Sequence, residues 1–484
     1  MANVSRFLPI PSSDLEPSLV SGQTYVTRRR LTYVDAGMLL GLMIILVSVL
    51  PSNLIVPDTT NLGRPGLIIG FFLFIWWILV RCTSHLAMTG RQPMRWAVLA
   101  FMVSGLMSYA AGFLRGLTGI EANGADRMML YFCVLAGVVL TAADGVPNWL
   151  RLRGVVEVLV WSAAVVAFLG IIEYLFKVDV TKYIVIPGLQ AKGVAPSFEA
   201  RGSGFRVAST TWHYIELAAY LAMVLPFAIH VTRFARQRSR RRLAFVCTLL
   251  IAAGIGTTIS RTGILAIALM FVILIPAWGW RVRYNIATVT LGLLAVLAAA
   301  SPSMIKTLTQ LFNSPSSNPA FTVREARYPM VFRYVAERPL LGRGTGTYLA
   351  PQYQVLDNQW LTTLISNGIV GVAALAGLSI TGIVLATMAL RRSTSLEDRH
   401  LCAVLISTQV IAIAVSGTFD ALSYSTYATT FALSLGLCGA VWRLTHPTRT
   451  VRTSSTRWFL ENEPGAGGEP ARATPEPRQP VAAS

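Results

Sequence analysis

The chain has 484 residues, 54% of them hydrophobic and 13% charged, with a mean hydropathy of +0.57; a soluble domain carries about 25% charged residues, so water is not its main solvent. Its formal charge of +19 comes almost wholly from Arg, with Lys only at 177, 182, 192 and 306. That charge lies mostly in short loops beside apolar blocks, where the positive-inside rule places it, and this disfavours nucleic acid as its partner. Cys82, Cys133, Cys247, Cys402 and Cys438 are odd in number and lack CxxC spacing, so neither a disulfide framework nor a metal site is inferred.

Residues 1–33 are polar and end in Arg28-Arg29-Arg30, reading as a cytoplasmic N-terminal segment. The apolar run that follows, Val34 to Leu50, is too long for a cleaved leader and reads as a retained first span. Apolar blocks near the ~20 residues a helix needs to cross the hydrocarbon core then recur through residue 442, which predicts an all-α polytopic membrane protein of about 12 transmembrane helices rather than a barrel. Spans are expected near 34–51, 65–82, 95–114, 127–143, 154–176, 212–231, 243–259, 261–280, 285–301, 367–390, 400–418 and 423–442. With the N-terminus inside, every inside loop is basic, including the run Arg233, Arg236, Arg238, Arg240, Arg241 and Arg242, which places both termini in the cytoplasm.

Two outer segments, 177–211 and 302–357, are long for connectors, and long loops in compact proteins are usually functional or disordered. The second contains a helix-like stretch from Arg324 to Glu337, with Pro329 near its start, then the turn Gly342-Arg343-Gly344-Thr345-Gly346; it is expected to be an ordered, partly helical cap on the outer face. Residues 443–484 are rich in Pro, Arg, Gly, Glu and Ala, a disordered cytoplasmic tail by composition. No internal repeat is visible.

Orientation does not require Lys192, Arg201, Arg206, Arg324, Arg327, Arg333, Arg338 and Arg343 in the outer loops, nor Arg261 at an outer turn. An anionic ligand at the outer surface would explain them, because Arg forks match phosphate oxygens; contact with solvent or lipid headgroups is the alternative. Arg261 is wedged between apolar blocks, where an unpartnered charge is costly. Asp357 stands just before the tenth span, either as the cap of that helix or as a general base beside the cations. His213 and Glu216 lie one turn apart near the outer end of the sixth span; His213 can orient an acceptor, whereas Glu216 reads as a packing residue. Gly368, Gly371 and Gly377 read as sites of close helix packing.

The segment from Arg327-Tyr328-Pro329 to Pro339-Leu340-Leu341-Gly342-Arg343-Gly344 resembles the Arg-containing helix and Pro-Leu-x-Gly-x-Gly turn of the O-antigen ligase and polymerase family of bacterial membrane glycosyltransferases. Asp357-Asn358-Gln359-Trp360-Leu361 with Gly368-Ile369-Val370-Gly371 resembles its His/Asp-Asn-x-x-Leu and Gly-x-x-Gly signature; Ser260-Arg261-Thr262-Gly263 and Arg206 to His213 are similar to two further motifs, over residues 200–440 in all. Two departures stand out: ligases usually have His where this chain has Asp357, whereas Asp357-Asn358 resembles many of the polymerases, and Tyr214 replaces the Pro that often follows His213.

The resemblance implies metal-independent, inverting transfer of an undecaprenyl-pyrophosphate-linked glycan to a sugar hydroxyl at the outer face of the cytoplasmic membrane. Polymerisation of repeat units is the expected outcome, with ligation to a final acceptor as the alternative. In that reading Asp357 is the base, Arg206, Arg261, Arg327 and Arg343 bind the donor pyrophosphate, and His213, Asn358, Gln359 and Tyr348 support the acceptor. No cofactor is expected; the partners are the lipid-linked oligosaccharide, a glycan acceptor and membrane lipids. From another class, a glycolipid flippase or carrier would place ionisable residues near the midplane and on broken helices, whereas here charge gathers at the outer surface. A structural membrane protein would leave Asp357 and the outer Arg residues unexplained.

Overall fold

A computed structural model describes residues 35–59, 61–82, 92–193, 198–201, 204–300, 326–349 and 352–446. The expectations for residues 1–33, for the tail beyond 446 and for Arg324 lie outside the described residues.

The protein is built from helices α1 (Ala36–Ser48), α2 (Pro65–Cys82), α3 (Pro93–Arg115), α4 (Gly119–Gly145), α5 (Trp149–Phe176), α6 (Tyr214–Phe234), α7 (Arg238–Thr257), α8 (Arg261–Leu274), α9 (Trp280–Ala300), α10 (Tyr328–Glu337), α11 (Gln359–Arg392), α12 (Leu396–Val415) and α13 (Ser425–Leu444). A helix falls on each expected span, and α10 on the expected helical stretch of the second long loop, starting at Tyr328 rather than Arg324. Seven helices, α2 to α6, α11 and α12, are long and apolar enough to cross a membrane by length and composition; α1 and α8 are shorter apolar helices. The protein is thus a multi-pass membrane protein.

Burial sorts the helices into an inner and an outer set. In α6 the residues from Glu216 to Ala228 are buried on every face, and so are those of α13 from Thr426 to Leu444. An all-round apolar helix belongs at the centre of a bundle. In α2 and α3, by contrast, Phe72, Leu79, Trp96 and Leu106 are exposed, as side chains facing lipid tails would be. Tyr220, Phe227, Tyr427 and Cys438 carry the core between them.

The two ends of the bundle differ. One end holds charge pairs between helix termini: Arg95 to Asp144 at 2.8 Å, Arg151 to Asp35 at 2.8 Å and Arg153 to Glu397 at 3.1 Å. There too Arg443 donates to the carbonyl oxygens of Ala143 and Val146, which satisfies a fully buried guanidinium. The other end carries the long connections. Strand β1 (Leu54–Ile55) pairs antiparallel with β2 (Gln190–Ala191), and β3 (Phe198–Arg201) with β4 (Gly204–Val207), Glu199 facing Arg206 in register.

Helix α11 is broken in its N-terminal third. At Gly368 the backbone turns to φ +66° and ψ −167°, and the Pro339–Gly344 turn docks into the break. The amides of Arg343 and Gly344 donate to Ile365 and Ser366 oxygens, both at 2.9 Å, while Ile369 and Val370 amides donate to Pro339 and Leu340 oxygens at 2.9 and 3.2 Å. These bonds replace the helical ones that the break removes, as irregular backbone at membrane depth requires. A Cβ on Gly368 would lie 2.2 Å from the Leu340 oxygen, and one on Gly342 would lie 2.5 Å from Ser366. Close packing therefore holds for Gly368 against a turn rather than a helix, and nothing lies within 4 Å of a Cβ built on Gly377.

Candidate active site at the looped end of the bundle

Asp357, Asn358, Gln359 and Thr262 meet at the short connection between α12 and α13. The Gln359 amide donates to Ser416 and Phe419 oxygens at 2.8 and 3.1 Å, Leu422 donates to Gln359 Oε1 at 2.8 Å, and Thr262 at the start of α8 donates to Thr418 Oγ1 at 2.9 Å. The centre of this connection is Asp420. Its Oδ1 accepts from Thr362 Oγ1 at 2.5 Å and from the Asn358 amide at 3.3 Å, and the carboxylate also takes the Asp357 amide. Burial pushes the Asp420 carboxyl above the ordinary aspartate range and the neighbouring Asp357 adds to it, against the lowering effect of those hydrogen bonds.

Asp357 does not cap α11. That role belongs to Asn358, whose Oδ1 accepts from the amides of Trp360 at 3.0 Å and Leu361 at 3.3 Å. Asp357 sits one residue earlier at φ +51°, the left-handed region that Asp and Asn tolerate better than most side chains. Its side chain is 42% exposed, and its Oδ2 lies 3.5 Å from Arg327 Nη1. Arg327 precedes α10, where Pro329 suits the first turn because its missing N–H has no helical partner to lose. The Arg327 side chain is mostly buried, and its Nε has no hydrogen-bond partner among the described residues.

The other expected residues occupy distinct settings. Arg206, buried on β4, lies with its guanidinium 4.3 Å from the ring centre of Tyr214. His213 caps α6, its Nδ1 accepting from the Ile215 amide at 3.2 Å, and its ring lies between those of Tyr214 and Tyr424 at 4.1 and 5.9 Å. Arg261 opens α8 directly after Ser260. Arg343 is held by Glu337 at 3.2 Å, by the Tyr353 hydroxyl at 3.4 Å and by the Tyr334 ring at 4.6 Å; it ties the docked turn to α10. Glu216, fully buried, accepts the amides of Trp212 at 2.9 Å, Thr426 at 2.9 Å and Tyr427 at 3.3 Å, so it joins the starts of α6 and α13.

Beside Asp420 opens a cavity of about 570 Å³ between α3, α4, α11 and the loops. Tyr348 and Gln359 line it, while Asp357, Arg206, Arg261 and Arg327 do not. Burial pushes the Tyr348 phenol up to about 12, so it is a neutral donor, and it gives its proton to the Gln354 oxygen at 2.7 Å. Sequence reasoning missed Asp420, Arg64 and Tyr131, all on the cavity wall. A signal existed for Asp420, an acid in the short stretch between the apolar blocks 400–418 and 423–442; Tyr131 inside a span and Arg64 in a short turn gave none.

Residues 246–376 match the family described as O-antigen ligase. Over this segment the chain is similar to the O-antigen ligase family. The matched stretch is narrower than 200–440 and runs from within α7 to the middle of α11, so it contains Arg261, Arg327, Arg343, Tyr348, Asp357, Asn358 and Gln359 but not Arg206, His213 or Asp420. The comparison with curated proteins finds no significant match. A match to the O-antigen ligase family within a multi-pass helical protein supports membrane-bound glycan transfer of the ligase or polymerase type.

Proposed function

We propose that the protein polymerises polyprenyl-pyrophosphate-linked oligosaccharide units at the outer face of the cytoplasmic membrane. The observation that carries this reading is the Arg327–Asp357 pair inside the segment that matches the O-antigen ligase family, next to a second, buried carboxylate and a cavity. In the transfer, the acceptor hydroxyl oxygen bonds to the donor's anomeric carbon, the bond from that carbon to the pyrophosphate oxygen breaks with inversion, and the hydroxyl proton passes to Asp357. The buried Asp420 stands directly beside Asp357, and burial together with that neighbouring charge raises the Asp420 carboxyl. As Asp357 is neutralised, Arg327 loses its counter-charge at the moment when negative charge appears on the departing pyrophosphate, which Arg206 and Arg261 also stabilise. Arg343, already occupied by Glu337 and tyrosines, serves by fixing the turn.

The Arg-rich end of the bundle, with Arg233 to Arg242, then faces the cytoplasm, together with both termini. A carrier is the weaker reading even though α11 is broken, because the break is filled by the protein's own turn instead of lining an open path. Asp357 in a His/Asp position favours polymerase over ligase. Lipid-linked glycans from a deletion strain test this: single lipid-linked repeat units with no long chains are expected, whereas intact long chains that never reach a final acceptor would identify a ligase.

A further inference from the structure

Helix α10 has two apolar faces, and the bundle covers only one of them. Val331 is fully buried and packs with Leu356 and Ile365, with Tyr334 and Val335 beside it, which fastens that face to the start of α11. Among the exposed residues, Tyr328, Phe332 and Ala336 stand four apart and so form one strip, while Arg333 and Glu337 form the next. Phe332 is 63% exposed. A helix resting on the bundle in water would be polar over its whole exposed half. An apolar strip flanked by charge, with the exposed Arg338 just past the last turn, is instead the pattern of a helix lying in a membrane interface.

The turn that follows α10 sets the depth of this strip. Leu340, 64% exposed, accepts the Val370 amide, and Pro339 accepts that of Ile369, itself 53% exposed on α11. The turn is fixed against α3 as well, because Thr345 donates to the Gly105 oxygen at 2.9 Å. Both α3 and α11 are long and apolar enough to cross a membrane, and α11 carries no charge before Arg391 and Arg392 in its last turn. Ile369 stands 22 residues before Arg391. At 1.5 Å per residue that is about 33 Å, against about 30 Å for the hydrocarbon core. With the two arginines at one edge of that core, Ile369 and Leu340 lie at the other, and α10 leads into the turn at that level.

We propose that α10 is seated in the bilayer. The strip of Tyr328, Phe332 and Ala336, continued by Leu340, lies at the edge of the hydrocarbon core, and Arg333 and Arg338 reach the lipid phosphates. The occupant of this surface is the phospholipid bilayer that holds the spans, and the seat fixes the height of Arg327, one residue before the helix. The inference rests on the membrane spans and not on the transfer reading above.

Spin-label accessibility tests it with the full-length chain in nanodiscs of phosphatidylethanolamine and phosphatidylglycerol. A Cys82→Ser background removes the exposed native thiol. A nitroxide is then attached in turn to Phe332→Cys, Ala336→Cys, Leu340→Cys and Arg333→Cys, with Leu79→Cys on α2 as the lipid-facing reference. Molecular oxygen concentrates in the bilayer, whereas a charged nickel chelate stays in water. The ratio of oxygen to nickel collisions should be several-fold higher at Phe332→Cys, Ala336→Cys and Leu340→Cys than at Arg333→Cys, and should approach that of Leu79→Cys. All these side chains are exposed, so melting curves should match the parent's, and Ala336→Cys reads the same strip should Phe332→Cys fold poorly. Water-like ratios at all four positions on α10 and its turn would overturn the proposal. Shielding of the strip from both reagents would also overturn it, by putting a protein surface there. A lipid-like strip in a chain that proves to transfer no glycan would uphold the seat and refute the transfer reading alone.

Discussion

Arg327 Nη1 lies 3.5 Å from Asp357 Oδ2, which joins the start of α10 to the residue just before the cap of α11. An ion pair at a half-exposed carboxylate contributes little to stability, since exposed pairs are worth about 0–1 kcal/mol. Its position inside the segment that matches the O-antigen ligase family supports the proposed role in chemistry instead. Arg327→Lys keeps the charge but loses the fork, so donor turnover should fall partially, whereas Arg327→Ala should lose about 10²–10³-fold, as removal of one charge-stabilising donor typically does. Thermal unfolding of both should stay near wild type. Full turnover by Arg327→Ala at normal expression removes Arg327 from the site.

Asp420 makes a prediction in pH. Its native carboxyl is raised by burial and by Asp357, so between the ordinary aspartate value of about 3.9 and the raised value the native state holds more protons than the unfolded one. Stability from this group is present at low pH and lost as pH rises through that window. Asp420→Asn should thus be at least as stable as wild type at neutral pH, the difference vanishing below the window.

Much of this was legible in the sequence, and the reasons are physical. Apolar blocks of span length located a helix at every expected place, and Pro329 marked the start of α10 within a turn. Asp357 and Arg327 were legible because charge is conspicuous among apolar neighbours. The cap was left open: Asp and Asn cap equally well, so Asp357-Asn358 left the choice to backbone geometry, and φ +51° at Asp357 gave it to Asn358. The docking of the Pro339–Gly344 turn into α11 and the Asp420 cluster were not legible, since both depend on contacts between segments far apart in the chain.

The docked turn is tested by two glycines in one helix. Gly368→Ala places a methyl group 2.2 Å from the Leu340 oxygen at a positive φ, so the strain of about 1–3 kcal/mol for the backbone alone is joined by a clash. Its melting temperature and its monodisperse yield should drop sharply. Gly377→Ala meets nothing within 4 Å and should melt within a few tenths of a kcal/mol of wild type or slightly above it, given the helix preference of Ala. Equal behaviour of the two would refute the docking.

Topology is checked with reporters. A fusion after Lys192, between β2 and β3, should be extracytoplasmic, and one after Arg238, at the start of α7, cytoplasmic. The same side for both would overturn the orientation.

The most direct test of Asp357 as the base is one substitution measured on purified protein. Asn tolerates the left-handed backbone at φ +51° and Asn358 keeps the cap, so Asp357→Asn should insert, express and melt like wild type. An amide cannot accept the acceptor's proton, and loss of a general base costs ~10²–10⁴-fold. Polymer formed per minute from purified lipid-linked donor should fall by that factor in the Asn variant; near wild-type polymerisation would contradict the account.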